Sequence, residues 1–156
     1  CDSVGGVVEC AAIGLPIGVG EPLFEGIESA LARILFAIPA VKGVEFGCGF
    51  HVADMRGSAH NDSYRMVGGQ VGIIKNDAGG ILGGISTGEP IIMHVAFKPT
   101  SSIAAVQQSV NLRTGEDAEL AVHGRHDPCV AARAVPIVEA ACACALLDLV
   151  MERRMR

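Results

Sequence analysis

Four pairs of adjacent glycines interrupt the apolar segments of this sequence and restrict its fold more than any other feature. The pairs are Gly5-Gly6, Gly68-Gly69, Gly79-Gly80 and Gly83-Gly84, among 20 glycines in the chain. Glycine adopts left-handed backbone angles easily and weakens helices, so such pairs between apolar runs predict tight turns, bulges or close backbone approach. Their spacing follows no fixed period, which excludes a collagen or solenoid repeat.

The size and charge of the chain narrow the class of protein further. A chain of 156 residues, half of them hydrophobic and 19% charged, is long enough for one domain with its own core and too apolar for intrinsic disorder. Its net charge of -5 argues against a general nucleic-acid binder, which needs a basic face. We therefore expect residues 1–156 to form a single globular segment that binds no nucleic acid.

The apolar C-terminal region raises the question of a membrane span. The stretch from Ala134 to Val150 contains Pro136, Glu139 and Asp148, and such a segment does not meet the rule for a membrane helix. No basic segment followed by an apolar core stands at the N-terminus, so no signal peptide is predicted. We expect a cytoplasmic protein without a membrane partner.

Six cysteines are present and lack the spacing of a metal or disulfide framework. No C-x-x-C occurs among them, and Cys142 and Cys144 are two residues apart in a predicted helix. The positions are 1, 10, 48, 129, 142 and 144. We expect free thiols that behave as small apolar side chains in a reducing compartment.

The pattern of apolar residues predicts both helices and strands. Helical spacing predicts a helix over Leu23–Ile38, ended by Pro39, and a second, stronger helix over Arg133–Arg154. β-Branched and apolar runs predict strands over Ser3–Ile13, Val41–Gly49, Arg65–Lys75, Glu89–Phe97 and Glu119–His123, and the third of these is broken by Gly68-Gly69. The order of strand, helix, several strands and helix indicates an α+β fold.

The densest cluster of chemically active side chains follows the last predicted strand. His123, Arg125, His126 and Asp127 stand in a segment that Pro128 biases towards a loop. The two histidines with Asp127 have the donor types of a divalent metal site. Alternatively, Arg125 binds a phosphate or carboxylate, while Asp127 and a histidine near it transfer protons. A solvated polar turn is the third interpretation.

Three further segments carry weaker signals. Phe97–Ser102 offers one lysine and three hydroxyl groups to an anion such as phosphate. Gly79–Gly88 matches neither a Walker loop nor a dinucleotide fingerprint, and is either a bulged turn or a backbone cradle under a flat ring. Arg56–Asp62 is either the rim of an active site or a surface loop. A serine hydrolase motif of the form G-x-S-x-G does not occur.

These segments together resemble the C-terminal part of the chorismate synthase family, in family order and along nearly the whole chain. The similar stretches are Asp2–Glu9, Gly20–Pro22, Pro39–Glu45, Arg56–Ser58, His60–Asp62, Gly79–Gly88, Phe97–Thr100, Gly124–Cys129 and Arg133–Pro136.

The resemblance implies a carbon–oxygen lyase acting on a phosphate. The family converts 5-enolpyruvylshikimate 3-phosphate to chorismate and phosphate by an anti 1,4-elimination, a step of aromatic amino acid biosynthesis that needs reduced FMN. The implied fold is half of a β-α-β sandwich, and the implied assembly is a homotetramer. A flavin reductase using NADP is a partner compatible with the need for reduced FMN.

The resemblance also assigns roles to single residues. The implied FMN contacts are Ala40, Gly83, Lys98, Pro99, Thr100, Ser101, Ser102 and Arg125. Arg125 is further implied to bind the substrate, and Asp127 to lie near the reactive flavin nitrogen and transfer a proton. These roles leave no metal in the site.

The family's N-terminal half, with two catalytic histidines, has no counterpart in this sequence. None of the five histidines aligns with those two. We therefore expect a truncated chain that is inactive alone. The alternative is a non-catalytic fragment that binds flavin weakly or not at all.

Overall fold

The computed structural model describes residues 2–155 as a three-stranded sheet with two helices on one face, and Cys1 lies outside these residues. The strands are β1 (Gly6–Ala12), β2 (Val41–Phe46), β3 (Tyr64–Val67), β4 (Gln70–Ile73), β5 (Ile81–Leu82), β6 (Ile85–Ser86), β7 (Ile91–Phe97), β8 (Gln107–Asn111) and β9 (Glu116–Leu120). The α-helices are α1 (Ile27–Phe36), α2 (Gly57–His60) and α3 (Ala131–Met155), and 3₁₀ helices cover Leu23–Glu25 and Gly49–Asp54. The predicted α+β class is confirmed.

Strand β7 is the centre of the fold. It pairs antiparallel with β1 on one side and with β2 on the other. Side chains alternate between the two faces of a strand, and the residues of β7 buried against the helices are Ile91, Met93, Val95 and Phe97. Helices α1 and α3 contact each other and cover this face, α1 beside β2 and α3 beside β1.

The apolar stripes of the two helices complete the core. In α1 the buried residues are Ile27, Leu31 and Leu35, spaced as one face of a helix. In α3 the buried residues include Val138, Cys142, Leu146 and Leu149. Burying such side chains contributes about 1.5–3 kcal/mol each, so this layer supplies most of the apolar stabilisation.

Two of the glycine pairs are the turns of two-residue hairpins. Gly68-Gly69 joins β3 to β4, and Gly83-Gly84 joins β5 to β6, with a positive φ at all four residues. The predicted break of the strand Arg65–Lys75 at Gly68-Gly69 is therefore confirmed. Paired positive φ values are what a tight hairpin turn of this length requires.

Several boundaries differ from the predictions for physical reasons. Helix α1 begins at Ile27 rather than Leu23, because extended Gly26 precedes it and the Ile27 amide donates to the Gly84 carbonyl at 3.0 Å. The segment Arg56–Asp62, interpreted from the sequence as the rim of an active site or a surface loop, contains α2. Strand β8 was not predicted, because its hairpin with β9 is mostly exposed and lacks apolar alternation.

Helix α3 is also long and apolar enough to cross a membrane by length and composition, contrary to the sequence-based argument. A core helix of a soluble protein meets the same test, and one face of α3 packs on the sheet. The five described cysteines are free thiols, and Cys142 is the buried one among them.

Candidate functional site

One end of the sheet brings several of the predicted site residues together. After β7, the Lys98 amide donates a hydrogen bond to the Ala40 carbonyl at 2.9 Å. The Thr100 carbonyl accepts a hydrogen bond of 2.6 Å from the Ser3 hydroxyl, just before β1. The Ala40 segment and the Lys98–Thr100 segment are thus fixed beside each other and beside the start of β1.

The loop before α3 joins the same region. The Val4 amide donates to the Pro128 carbonyl at 2.8 Å. Close approach continues at Gly6, where an added Cβ would lie 2.7 Å from the Ala131 Cβ, a separation that real side chains do not tolerate. The glycine therefore allows β1 to lie directly against the start of α3, which follows the loop that carries Asp127.

A cavity of about 570 Å³ opens between the end of α1 and the start of α3. Its walls are mostly apolar, and its charged side chains are Asp127 and Arg133. The other lining residues are Ile34, Ala37, Ile38, Pro39, Phe97, Val130, Ala134, Ile137 and Ala141. A concave, largely apolar site of this size with a few polar groups is typical of small-molecule binding.

Asp127 and Arg133 form an ion pair in this cavity. Arg133 Nη1 lies 2.7 Å from Asp127 Oδ2, with side-chain exposures of 75% and 43%. Sequence reasoning assigned no role to Arg133. Its position in the first turn of α3, six residues after Asp127, was the available signal.

The described residues contain no group of three or more histidine, cysteine, aspartate or glutamate side chains placed to hold a metal ion. The alternative metal site at His123, His126 and Asp127 is therefore not formed. Arg125 is exposed and does not line the cavity.

The segment Phe97–Ser102, which was predicted to offer a lysine and three hydroxyl groups to an anion, lies at the edge of the same end of the sheet. Lys98, Pro99 and Ser101 are exposed, whereas Thr100 and Ser102 are partly buried. A lysine and three hydroxyl groups beside an apolar cavity fit the chemistry of FMN, whose flat ring is apolar and whose phosphate is anionic.

Gly83, another predicted FMN contact, does not line the cavity of Asp127. Its hairpin contacts the beginning of α1, whereas Ala40 follows the end of α1. The ten residues of α1 separate these two ends by about 15 Å. Gly83 instead lines a second cavity of about 550 Å³, together with Phe46, Phe50 and others.

The segment Arg56–Asp62 is tied to the β4–β5 connection by hydrogen bonds. The Asp62 carboxylate accepts from the Asp77 and Ala78 amides at 3.0 and 2.9 Å. Lys75 donates to the His60 carbonyl at 2.8 Å and to the Asp77 carboxylate. The Lys75 hydrogen bond lowers the pKa of Asp77, and the same bond raises the pKa of Lys75. These hydrogen bonds indicate that the segment Arg56–Asp62 holds the β4–β5 connection in place.

Comparison with known proteins shows which family this chain is similar to. A family model described as chorismate synthase matches residues 1–151. The chorismate synthase of Korarchaeum cryptofilum is 55% identical over 155 residues, which cover 99% of this chain and 43% of that protein. The chorismate synthase of Dehalococcoides mccartyi is 51% identical over 150 residues, which cover 96% and 41%.

A crystal structure of chorismate synthase is also similar. It has a TM-score of 0.77 and 29% identity, covering 97% of this chain and 39% of that one. The fold of this chain is thus that of part of chorismate synthase, as the resemblance implied. The chain spans about two fifths of the length of the relatives that it matches. It belongs to the chorismate synthase family.

Proposed function

We propose that this chain is the C-terminal part of a chorismate synthase and contributes part of its flavin and substrate site. The proposed reaction is the anti 1,4-elimination of phosphate from 5-enolpyruvylshikimate 3-phosphate to give chorismate. The observation that supports it most is the proximity of Ala40, Lys98 and Thr100 to the loop and cavity of Asp127, in a chain of this family.

Reduced FMN, when bound, supplies electron density to the departing phosphate. In this proposal the cofactor contacts near the cavity of Asp127 are Ala40, Lys98, Pro99, Thr100, Ser101, Ser102 and Arg125. The contact at Gly83 stays a prediction from the resemblance, because Gly83 lines the second cavity. The Lys98 ammonium and the hydroxyl groups after it bind anionic and carbonyl oxygens. The apolar wall formed by Pro39 and Phe97 excludes water from the reacting face.

Asp127 is the proposed proton-transfer residue. Its carboxylate lines the cavity and accepts a hydrogen bond from Arg133, so one oxygen is held while the other is left to exchange a proton. Arg125, exposed on the same loop, is placed to bind the substrate phosphate, since a guanidinium recognises phosphate by paired hydrogen bonds.

The remaining polypeptide of the relatives supplies the rest of the proposed site. The chain alone is therefore proposed to be inactive. The proposal includes a cytoplasmic homotetramer, with reduced flavin supplied by a reductase that uses NADP. A non-catalytic fragment is the second candidate function, favoured by the share of its relatives that the chain spans.

A chimera tests the proposal. This chain would replace the matching part of the Korarchaeum cryptofilum chorismate synthase, to which it is 55% identical. Chorismate formation would be followed anaerobically with reduced FMN, for the chimera and for the chain alone. We expect turnover by the chimera and none by the chain alone.

Two further measurements separate the candidates. FMN fluorescence titration of the chimera, with and without substrate, should show saturable binding that substrate strengthens, and Arg125→Ala should weaken both FMN affinity and turnover. A folded chimera that forms no chorismate would support the non-catalytic fragment. Turnover by the chain alone would refute the dependence on the part of the relatives that this chain does not span.

A further inference from the structure

Three sulfur atoms meet in the core where β1, β7 and α3 come together. Cys142 Sγ lies 3.2 Å from Met93 Sδ. Cys10 lies opposite Met93 in the register of β1 and β7, and its side chain lines a cavity together with Cys142. Cys142 and Met93 are 2% and 0% exposed, and Cys10 is partly buried. Three soft donors from three separate elements therefore lie close together at the edge of the core.

A cavity of about 320 Å³ lies beside these sulfur atoms. It is lined by β1 residues that include Cys10 and by α3 residues that include Glu139 and Cys142. Because β1 is an edge strand of the sheet, the cavity opens beside the sheet rather than inside the core. It shares no lining residue with the cavity of Asp127.

The surroundings keep the two thiols protonated when no metal is bound. Burial raises the pKa of Cys142 to about 12, and burial also raises the pKa of Cys10. An uncompensated thiolate is costly in such surroundings. A monovalent cation that takes the place of the two thiol protons offsets part of that cost, because it neutralises one of the two thiolate charges as the metal–sulfur bonds form.

The donor set selects the class of cation. Thiolate and thioether ligands favour soft metals such as Cu(I), whereas carboxylate and carbonyl ligands favour Mg²⁺ and Ca²⁺. The three converging donors are all sulfur. Three ligands suit a monovalent d¹⁰ ion of low coordination number better than Zn²⁺, which takes four in structural sites.

We propose that Cys10, Cys142 and Met93 form a binding site for a soft monovalent cation, with Cu(I) as the biological ion. On binding, the S–H bonds of Cys10 and Cys142 break, both protons pass to solvent and two sulfur–metal bonds form, while the Met93 thioether binds the ion without losing a proton. The metal stays monovalent, so no oxidant or reductant takes part. The bound ion links β1, β7 and α3 and stabilises the fold, independently of the proposed elimination reaction.

Silver(I) is the probe, because it has the same charge and d¹⁰ configuration as Cu(I). The background variant carries alanine in place of Cys1, Cys48, Cys129 and Cys144, so that other thiols do not bind the probe. We expect binding of about one Ag⁺ per chain with release of protons. We also expect Tm to rise by about 5–10 °C at a hundredfold excess over Kd.

Variants of the site decide the outcome. Cys10→Ala should abolish saturable binding and the rise in Tm, and Met93→Leu should reduce both while keeping the side-chain volume. Met66→Leu, at an exposed methionine on β3, is the matched control and should change neither. Cys142→Ala leaves a hole in the core, so the test does not depend on it. The proposed site would be overturned if Ag⁺ raised the Tm of Cys10→Ala as much as that of the background variant. It would also be overturned if the background variant showed no saturable Ag⁺ binding.

Discussion

The Arg133 guanidinium donates a hydrogen bond of 2.7 Å to the Asp127 carboxylate, and both side chains line the cavity between α1 and α3. The pair connects the loop before α3 to the first turn of that helix. A carboxylate held by one oxygen has a fixed orientation, which proton transfer requires. In the proposed function, Arg133 is therefore a positioning residue for Asp127.

Replacing Arg133 with alanine should affect turnover far more than stability. Both partners are more than a third exposed, and exposed ion pairs of this kind contribute about 0–1 kcal/mol to folding. In the chimera, kcat should fall by up to about a hundredfold, because the carboxylate loses its orientation. The measurements are kcat across a pH series and the free energy of unfolding in urea.

A matched control exists on α1. Arg33 lies 3.5 Å from Glu25 in an exposed ion pair, and Arg33→Ala should leave kcat and its pH profile unchanged. Arg133→Lys should restore part of the turnover, since it keeps the charge. An Arg133→Ala chimera with the normal pH profile of kcat would contradict a positioning role.

Asp127→Asn separates proton transfer from cofactor binding. The substitution keeps the size and the hydrogen-bonding ability of the side chain but removes its ability to accept a proton from substrate. We expect turnover of the chimera to fall more than its FMN affinity, measured by flavin fluorescence and by chorismate formation. Normal turnover combined with weakened FMN binding would reverse the assignment.

The parts of the fold that the sequence predicted are those where local pattern and burial agree. The alternation in β7 and the apolar stripe of α1 are both local patterns, and each matches the buried face in the structure. The start of α1 was missed because the hydrogen bond from Ile27 to Gly84 joins segments far apart in sequence.

The residues of the candidate site that could be predicted were also those with a local sequence pattern. The motifs around Lys98 and Asp127 were found from clustered polar residues and a family resemblance, and the structure places them at one end of the sheet. The distance of Gly83 from them was not predictable, because it depends on which end of α1 each segment touches. The role of Arg133 needed the geometry of the first turn of α3.

The Lys75–Asp77 pair should make stability depend on pH at both extremes. The Lys75 hydrogen bond lowers the pKa of Asp77 below 3.8, so its contribution is present above that pH and is lost as the pH falls through the lowered value. The pKa of Lys75 is raised above 10.5 by the same bond. Its contribution is present below that pH and is lost as the pH rises through the raised value.

Lys75→Met removes this pair and tests the pH dependence. We expect a lower Tm than wild type near neutral pH, and a difference that narrows as the solution is acidified below pH 3.8. Lys42→Met, at an exposed lysine of β2, is the control and should show no such narrowing. A difference in Tm that stays constant from neutral to acid pH would exclude the pair as its cause.

The Gly83-Gly84 turn offers a comparison of two neighbouring positions. Both residues have a positive φ, +60° and +85°, so alanine at either should cost about 1–2 kcal/mol of backbone strain. At Gly83 a Cβ meets nothing within 4 Å, whereas at Gly84 it would lie 2.5 Å from the Glu21 carbonyl oxygen. Gly84→Ala must therefore also displace the hairpin from the start of α1. In urea unfolding we expect Gly84→Ala to be clearly less stable than Gly83→Ala, and equal losses at the two positions would show that the close packing against Glu21 contributes nothing.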